Sequence, residues 1–241
     1  MSDLSAITHE RLRHVSTASL CTQMFKRGFR NAYLQDVSRL TKASSNLVGP
    51  AYTMRNIPAR EDLDHLGIFE NPDHPQRKAI ETIPRGHVLV LDCRGDRRAA
   101  SGGFILITRL KMRGAAGLVS DGPVRDSGEI NGMDFPVYCA GSSAPLNLLY
   151  HHAIDINVPI GCGGVAIYPD DVMVGDSDGV VAIPAHLADE VAAAASEQEQ
   201  LEKFILERVQ AGASLPGTYP PNLETRAAYE AWCKKREAEG S

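Results

Sequence analysis

GLVSDGPVRDSGEI, residues 117–130, joins a short apolar run to an arginine and an aspartate. Residues 116–120 predict a buried strand, and Gly-Pro at residues 122–123 predicts the turn that ends it. Neighbours in an extended segment point in opposite directions, so Arg125 and Asp126 need this turn to face one pocket. A guanidinium can bind a carboxylate or keto acid, and a carboxylate can hold a divalent cation. The pair is therefore a candidate site, and the alternative is a surface ion pair beside a turn.

A second apolar strand lies upstream of this stretch. Residues 86–95, GHVLVLDCRG, place four apolar residues in a row, which is typical of a strand buried on both faces. Residues 103–113 then predict a helix with Ile105, Leu106 and Leu110 on its inner side. Strand, helix and strand in alternation predict parallel crossover units and an α/β fold class.

The start of that helix is glycine-rich. Residues 101–103 are Ser-Gly-Gly, and successive glycines let a ligand approach the backbone closely. Free N–H groups at a helix N-terminus favour an anion such as a carboxylate. The alternative is a plain helix cap. No Gly-Lys-Ser/Thr follows, so the segment is not a P-loop.

The rest of the chain predicts a helical N-terminus, a strand-rich middle and a helical C-terminus. An excursion, residues 59–83, separates the first two strands and predicts a short helix and a candidate lid. The other predicted elements are a helix over 8–28 that Thr8 caps and Gly28 ends, a strand over 46–55 interrupted at residues 49–50, β-type runs within 135–141, 157–167, 170–176 and 179–184, a long helix over 185–211, and a short helix after a Pro-rich arm.

Composition and charge exclude several classes of protein. The chain has 241 residues, 43% of them hydrophobic, which argues against disorder. A net charge of -5 argues against general electrostatic affinity for nucleic acid or anionic membrane. The five cysteines include no C-x-x-C pair and predict free thiols. The polar N-terminus has no apolar leader, so we expect a cytoplasmic location with no membrane partner and no direct nucleic-acid partner.

Other candidate motifs favour ordinary structure. Asp176, Asp178 and Gly179 predict an Asp-Gly hairpin turn rather than a calcium loop, because the other ligands of an EF-hand are missing. No H-E-x-x-H segment occurs. The letters of G-x-S-x-G occur once, as GDSDG at residues 175–179, but they fall in this predicted hairpin turn and not on the strand-to-helix turn that a hydrolase nucleophile needs. We interpret His151 and His152 as structural histidines.

Taken together, the Gly-rich helix start, RGAAGLVSDGPVRD and PDDVMVGDSDGVVAIP resemble the RraA-like family. That family contains the divalent-metal 4-hydroxy-4-methyl-2-oxoglutarate/4-carboxy-4-hydroxy-2-oxoadipate aldolases and the regulator of ribonuclease E activity. The resemblance covers approximately residues 10–212, and its G-x-x-x-D-G-x-x-R-D element spans residues 117–126. It implies a swivelling β/β/α single domain with an N-terminal helix and a C-terminal helical arm. We accordingly predict a catalytic domain over 1–212, and an arm over 213–241 that packs on the body or on a neighbouring subunit.

The resemblance also implies roles for individual residues. Arg125 would bind the keto oxygen and carboxylate of a pyruvyl unit, and Asp126 would hold Mg2+ or Mn2+, which acts as a Lewis acid towards the pyruvate enolate. Glu199, with Glu202 close behind, would complete the metal shell of a neighbouring subunit in a homotrimer or homohexamer. The amides that would take the pyruvyl carboxylate are those of Gly102, Gly103, Phe104 and Ile105.

One residue departs from the aldolase pattern. The aldolases have an acidic residue where this chain has Phe104, and a phenyl ring cannot shuttle protons. Asp96 or a residue of the excursion is a candidate substitute. We predict a metal-dependent lyase that acts on a 2-oxo acid, by retro-aldol release of pyruvate or by oxaloacetate decarboxylation. The alternatives are a non-catalytic regulator that binds an RNA-processing enzyme, and a sugar-acid dehydratase or isomerase that uses related enolate chemistry.

Overall fold

The computed structural model describes residues 4–239, and the side chains of all of these except 237 and 239. Contacts divide the chain into two compact units, of which the first ends at Ala192 and the second begins at Ala193. The domain boundary between residues 212 and 213 stays a prediction. None of the helices in the described range is long and apolar enough to cross a membrane.

The first unit contains an eight-stranded sheet and a separate two-stranded hairpin. The strands are β1 (Ser38–Arg39), β2 (Leu47–Pro58), β3 (Val88–Asp92), β4 (Gly117–Ser120), β5 (Val137–Cys139), β6 (His151–Ile156), β7 (Ile160–Cys162), β8 (Val165–Ile167), β9 (Val172–Gly175) and β10 (Val180–Ile183). Strand order in the sheet is β1-β5-β4-β3-β2-β9-β10, with β6 pairing to β2, and β7 with β8 forms the hairpin.

Helices connect the strands of the first unit. The helices of that unit are α1 (Ala6–His14), α2 (Thr17–Lys26), α3 (Pro75–Thr82), α4 (Phe104–Met112) and α5 (Ser127–Asn131), with short 3-10 helices at Leu66–Glu70, Asn147–Leu149 and Ala185–Leu187. Helix α6 (Ala188–Gln210) begins in the first unit and continues into the second, which also contains α7 (Leu223–Glu239). The predicted parallel crossovers are confirmed, because β2, β3, β4 and β5 pair in parallel and α3, α4 and α5 connect them in turn.

The central strands are buried on both faces. All five residues of β3 are buried, and alternate residues belong to two different apolar clusters. Leu89 and Leu91 pack with residues of α3, α4 and α5. Val88 and Val90 pack on the other face with residues of the β7–β8 hairpin. The sheet therefore lies between a helical layer and a β layer, and the predicted α/β class with β/β/α layers is confirmed.

β2 joins three neighbours along its length. Its first residues, Leu47–Pro50, pair with β9, and residues Ala51–Arg55 pair in parallel with β3. Its last residues pair with β6 across a register shift after Arg55. The predicted interruption at Gly49-Pro50 was wrong, since the strand runs through it. A Cβ on Gly49 would lie 2.4 Å from the Gly86 carbonyl oxygen. Glycine at this position therefore lets the two backbone segments approach closely and does not break the strand.

The N-terminal prediction of one helix was also wrong, because the chain forms α1 and α2. The break lies at Val15, which is extended, and Ser16, whose side chain accepts a hydrogen bond from the Ser19 amide and caps α2. Asp176, at the β9–β10 turn, accepts bonds from the amide and hydroxyl of Thr17 at 2.7 and 2.8 Å. A distant carboxylate thus fixes the start of the second helix.

Three further predictions need correction. Ser5 rather than Thr8 caps α1, and Ile105 of α4 is 81% exposed, so Ile107 takes its place on the inner side with Leu110. The terminal helix α7 has 17 residues and is not short. The Asp-Gly hairpin is confirmed, since the Asp176 amide donates to the Gly179 carbonyl at 3.0 Å between β9 and β10. All five cysteines are free, as predicted.

The second unit pairs the later part of α6 with α7. Phe204 contacts Tyr229 and Trp232 with ring centroids 5.7 Å apart in both pairs. The Trp232 indole N–H donates to Glu207 at 3.1 Å, and the Arg236 guanidinium lies 4.6 Å from the Trp232 ring. An aromatic cluster with a charged rim therefore holds these two helices together.

Candidate active site

Two loops at the carboxyl ends of β3 and β4 build the site. Ser101, before α4, donates to the Pro123 carbonyl through its amide at 2.7 Å and through its hydroxyl at 2.9 Å. The Arg125 amide donates to the Gly102 carbonyl at 3.0 Å. These bonds bring the Gly-rich helix start and the Arg-Asp pair together, as the sequence predicts.

A buried carboxylate holds the same region rigid. Asp121 follows β4 and accepts bonds from the amides of Cys93 at 2.6 Å, Gly95 at 3.0 Å and Gly163 at 3.4 Å. Burial raises the pKa of Asp121, against the opposing effect of these amide donors. Because the donors come from the ends of β3 and β7, Asp121 ties three strand ends together. Its role is structural.

Asp126 adopts the left-handed conformation at the start of α5, with φ of 59°. This is the turn that Asp126 needs in order to share a pocket with Arg125. Its Oδ2 accepts the Phe104 amide at the N-terminus of α4 at 3.1 Å and lies 3.7 Å from the Arg125 Nε. Within the described residues, no hydrogen bond to Asp126 Oδ1 exists, so this oxygen is available to a ligand.

Gly103 makes this close approach possible. A Cβ at this position would lie 2.7 Å from Asp126 Oδ2 and 3.1 Å from the Cγ and Nε of Arg125. The backbone of Gly103 is extended, with φ of -129°, so conformational freedom is not the reason for glycine here. The absence of a side chain is what lets the carboxylate and the guanidinium lie over the helix N-terminus.

A cavity of about 320 Å3 opens in front of these residues. Five of the predicted site residues line it: Gly102, Gly103, Ile105, Arg125 and Asp126. The sequence analysis gives no site role to the other lining residues, which are Leu66, Phe69, Gln76, Arg77, Ala100, Leu106, Leu146 and Asn147. Four of them belong to the excursion, so this segment forms part of the cavity wall. No motif marks them, because their placement depends on how the excursion folds back.

The excursion is anchored at two points. The side-chain amide of Gln76 in α3 donates to the Ser101 carbonyl at 3.0 Å in a buried bond. Asp64 accepts from His152 Nδ1 at 2.8 Å, and the Asp64 side chain is 1% exposed. The first bond fixes α3 against the Gly-rich helix start, and the second fixes the excursion to β6. His151 is buried in β6 with Nε2 3.1 Å from the Ala99 carbonyl oxygen, and burial lowers its pKa, so His151 is structural.

Phe104 contributes its amide and not its ring to the site. The ring is half-buried and packs against the apolar cluster beneath the helices. Asp96, a candidate substitute acid, is bound by the Arg98 guanidinium, which lowers the pKa of Asp96 to about 2. Asp96 does not line the cavity, and among the described lining residues Asp126 is the only carboxylic acid.

The donor set allows a loosely held cation. Within residues 4–239, no three His, Cys, Asp or Glu side chains are grouped to hold a metal. Mg2+ commonly keeps several waters and takes only one or two protein carboxylates, so the free oxygen of Asp126 fits such an ion. Glu199 and Glu202 lie on α6 in the second unit, and their pairing with Asp126 of another copy stays a prediction.

Comparison with known proteins agrees with this architecture. The family model described as RraA-like, Aldolase/RraA, matches residues 17–182. A Halalkalibacterium halodurans protein named "Putative 4-hydroxy-4-methyl-2-oxoglutarate aldolase" is 33% identical over 172 residues, which is 70% of this chain and 76% of that protein. A Dechloromonas aromatica protein with the same name is 38% identical over 116 residues, 48% of this chain and 70% of that one.

Solved structures show the same fold. Streptomyces coelicolor RraAS2, described as an unusual member of the RNase ES inhibitor RraA protein family, has a TM-score of 0.77 and 29% identity, covering 85% of this chain and 98% of that one. An uncharacterized Pseudomonas syringae protein has a TM-score of 0.77 at 24% identity, covering 91% of this chain and 100% of that one. The second likeness concerns the fold alone.

Proposed function

Because this chain belongs to the RraA-like (Aldolase/RraA) family, we propose that it is a divalent-metal-dependent lyase that cleaves a C–C bond in a 2-oxo acid. The observation that carries the proposal is the convergence of Arg125, Asp126 and the N-terminus of α4 on one cavity. The names of two relatives support an aldolase-type reaction.

Arg125 would bind the 2-oxo carboxylate end of the substrate. Its side chain is half-exposed, and its contact with Asp126 at 3.7 Å leaves the guanidinium donors unused by the described residues. The Phe104 amide already donates to Asp126. Of the predicted amides, those of Gly102, Gly103 and Ile105 donate to no described residue, so they remain for a substrate carboxylate.

Asp126 would hold Mg2+ or Mn2+ through Oδ1, with waters and the substrate filling other positions. When bound, the cation would supply Lewis-acid stabilisation of the charge that develops on the 2-oxo oxygen. Arg125 would stabilise the same developing negative charge, because its guanidinium binds the substrate carboxylate next to the 2-oxo group. In the bond-breaking step, the electron pair of the C3–C4 bond moves towards the 2-oxo group, and C3 then takes a proton from solvent.

The lining residues distinguish the two reactions of this kind. Retro-aldol cleavage requires a base that removes the proton of the C4 hydroxyl, whereas loss of CO2 from oxaloacetate does not. Asp126 is the only carboxylic acid among the described lining residues, and it is assigned to the cation. Decarboxylation therefore needs only the groups already assigned in the cavity. Retro-aldol cleavage also needs a proton acceptor, which would have to be a water molecule in the cavity.

The test is pyruvate release from a panel of 4-hydroxy-2-oxo acids and oxaloacetate with Mg2+ or Mn2+. We expect activity that EDTA abolishes, and Asp126→Asn should lower kcat/KM by about 100-fold or more and weaken Mn2+ binding measured by calorimetry. Asp62→Asn is the matched control, because Asp62 is an exposed carboxylate paired only with Arg60. Absence of EDTA-sensitive pyruvate from every substrate would refute the proposal, and full activity in Asp126→Asn would refute the metal role.

A non-catalytic regulatory role is the second candidate. Phe104 in place of an acid favours it, as does the likeness to RraAS2. The unused donors of Arg125 and the free Asp126 oxygen count against it, since a surface that only binds a protein has no need of them. Mn2+ titration separates the two functions, because a pure interaction protein shows no binding that depends on Asp126.

A further inference from the structure

Arg77 stands in an electrostatically unfavourable position. It is the third residue of α3, so it adds a cation to the first turn, where the helix macrodipole favours anions. No acidic residue lies in that turn to compensate. The side chain is half-buried, and burial lowers the pKa of its guanidinium, which reflects the loss of water around the charge.

Arg77 also has no carboxylate partner among the described residues, since none of their ion pairs within 4.0 Å includes it. Arginines close to it in the sequence or the fold do have one: Arg60 pairs with Asp62 at 2.6 Å, and Arg109 with Glu81 at 2.7 Å. The guanidinium of Arg77 instead lies 4.5 Å from the centroid of the Phe69 ring. Stacking of this kind orients a guanidinium without neutralising it, so its hydrogen-bond donors stay available.

The cavity wall fixes this cation in place. Phe69 and Arg77 both line the cavity that Arg125 and Asp126 line. The buried bond from Gln76 to the Ser101 carbonyl holds the first turn of α3 against the site. Two arginines and one aspartate therefore face the same space, and their charges leave it positive even before any cation binds. A cavity of that charge suits a ligand with more than one anionic group.

We infer that Arg77 is a specificity-determining residue that binds a second anionic group, a carboxylate at the end of the substrate remote from its 2-oxo acid group. The inference rests on the proposed function, because Arg125 takes the 2-oxo acid end. The relatives named 4-hydroxy-4-methyl-2-oxoglutarate aldolases already have a dicarboxylic 2-oxo acid in their name, and Arg77 is the residue by which this chain would recognise the second carboxylate of such a substrate. The apolar residues of the wall, Leu66, Leu146 and Phe69, contact the carbon chain between the two charged ends.

The test uses two ligands that do not react and that have the same five-carbon chain. 2-Oxoglutarate has the distal carboxylate and 2-oxopentanoate has a methyl group there. Calorimetry with Mg2+ present measures the dissociation constants of both for the wild type, Arg77→Met and Arg77→Lys. Methionine keeps an unbranched apolar stem against Phe69 and lacks the charge, whereas lysine keeps the charge without the planar fork. Arg60→Met, in the same excursion and exposed, is the control.

We expect the wild type to bind 2-oxoglutarate at least about tenfold more tightly than 2-oxopentanoate, as a charge-assisted contact to one carboxylate predicts. Arg77→Met should lose this preference by weakening 2-oxoglutarate alone, and Arg77→Lys should keep part of it. A preference that survives in Arg77→Met, an equal weakening of both ligands, or no preference in the wild type overturns the inference. Selective binding without pyruvate release from any substrate would instead refute the lyase and leave the role of Arg77 intact.

Discussion

At the residue scale, the site depends on an absent side chain. Gly103 is the N-cap of α4 but has no side chain that could accept a hydrogen bond from the helix amides, and its missing Cβ leaves room for Asp126 Oδ2 and the stem of Arg125. Because the backbone of Gly103 is extended, an alanine fits the chain conformation, and the three atoms nearest to its Cβ all belong to the two functional side chains. Gly103 thus offers a way to disturb the site without disturbing the fold.

Gly103→Ala should lower kcat/KM by about 10- to 100-fold, since displacements of about 1 Å at a positioned group cost up to that much. The free energy of unfolding should change by less than about 1 kcal/mol, because both displaced side chains are half-exposed. Steady-state kinetics and urea unfolding measure the two effects.

The control is Gly128→Ala in α5, where a new Cβ meets no atom within 4 Å. It should keep full activity and gain some stability from higher helix propensity. Equal activity in both variants would show that the crowding at Gly103 has no role in the site.

The sequence predicts the site at this scale only in part. The Arg125-Asp126 pair together with the Gly-rich helix start predicts a shared pocket, but the turn that allows it is the left-handed conformation of Asp126 and not the predicted turn at residues 122–123. The bond from the Phe104 amide to Asp126 was not predictable, because it depends on two loops that hydrogen-bond across a crossover. The predicted inner position of Ile105 failed because helical periodicity does not show which side of a helix start a cavity occupies.

At the element scale, α3 carries an unusual buried histidine. His74 precedes the helix and is 3% exposed, and neither of its ring nitrogens has a hydrogen-bond partner among the described residues. Its ring contacts Phe69 edge-on at 5.4 Å. Burial lowers the pKa of His74, Arg77 and His152 lower it further, and Asp64 opposes them.

The sign of the resulting pH dependence follows from linkage. Unfolded His74 takes up a proton as the pH falls through its ordinary pKa of about 6.5, whereas the folded residue stays neutral to lower pH. The stability that neutral His74 contributes is therefore present above pH 6.5 and is lost as the pH falls below it.

His74→Phe keeps the aromatic contact and removes the titration. Between pH 7.5 and 5.5, the wild type should lose up to about 1 kcal/mol more unfolding free energy than this variant, measured by urea unfolding at both values. His65→Phe, which replaces an exposed imidazole of the same excursion, is the control. Identical pH dependence in the wild type and His74→Phe would contradict the prediction.

Several elements were predictable from local signals and others were not. Gly28, with φ of 86°, ends α2 as the sequence predicts. The division of the N-terminal segment into α1 and α2 is marked locally by the cap residue Ser16 and is fixed further by Asp176, which is distant in the sequence, so periodicity alone could not show it. β6 was missed because its polar residues lack a strand pattern, and its pairing with β2 decides its conformation.

At the scale of the whole molecule, the order of strands and helices predicts the layers but not the complete site. Strong apolar runs and glycines mark the β/α/β order, and family membership follows from residues 17–182. The excursion's contribution to the cavity depends on tertiary bonds such as Gln76 to Ser101, which leave no trace in local sequence. The metal role predicted for Glu199 would require an arrangement of several copies.

Subunit complementation tests that arrangement. Asp126→Ala and Glu199→Ala should each be inactive alone, and co-expression of the two should restore up to about a quarter of wild-type activity if chains assort at random in a closed ring. Each restored site takes Asp126 from one chain and Glu199 from the next.

A mixture of Asp126→Ala with the double variant is the control and should stay inactive. No recovery in the first mixture would place both residues in the site of one chain, or remove Glu199 from the site. A parallel experiment with Glu202→Ala distinguishes the two candidate glutamates.

The pairing of β2 has a consequence for how the chain folds during synthesis. β2 meets β3 soon after both are made, but its contact with β9 joins Leu47 to Gly175 across most of the first unit. Contacts of such sequence separation close late and slow folding. At a synthesis rate of about 5–20 residues per second, several seconds pass between the synthesis of β2 and that of β9. During this interval the edge of β2 that later pairs with β9 has no partner strand, so nascent chains can associate with one another through it.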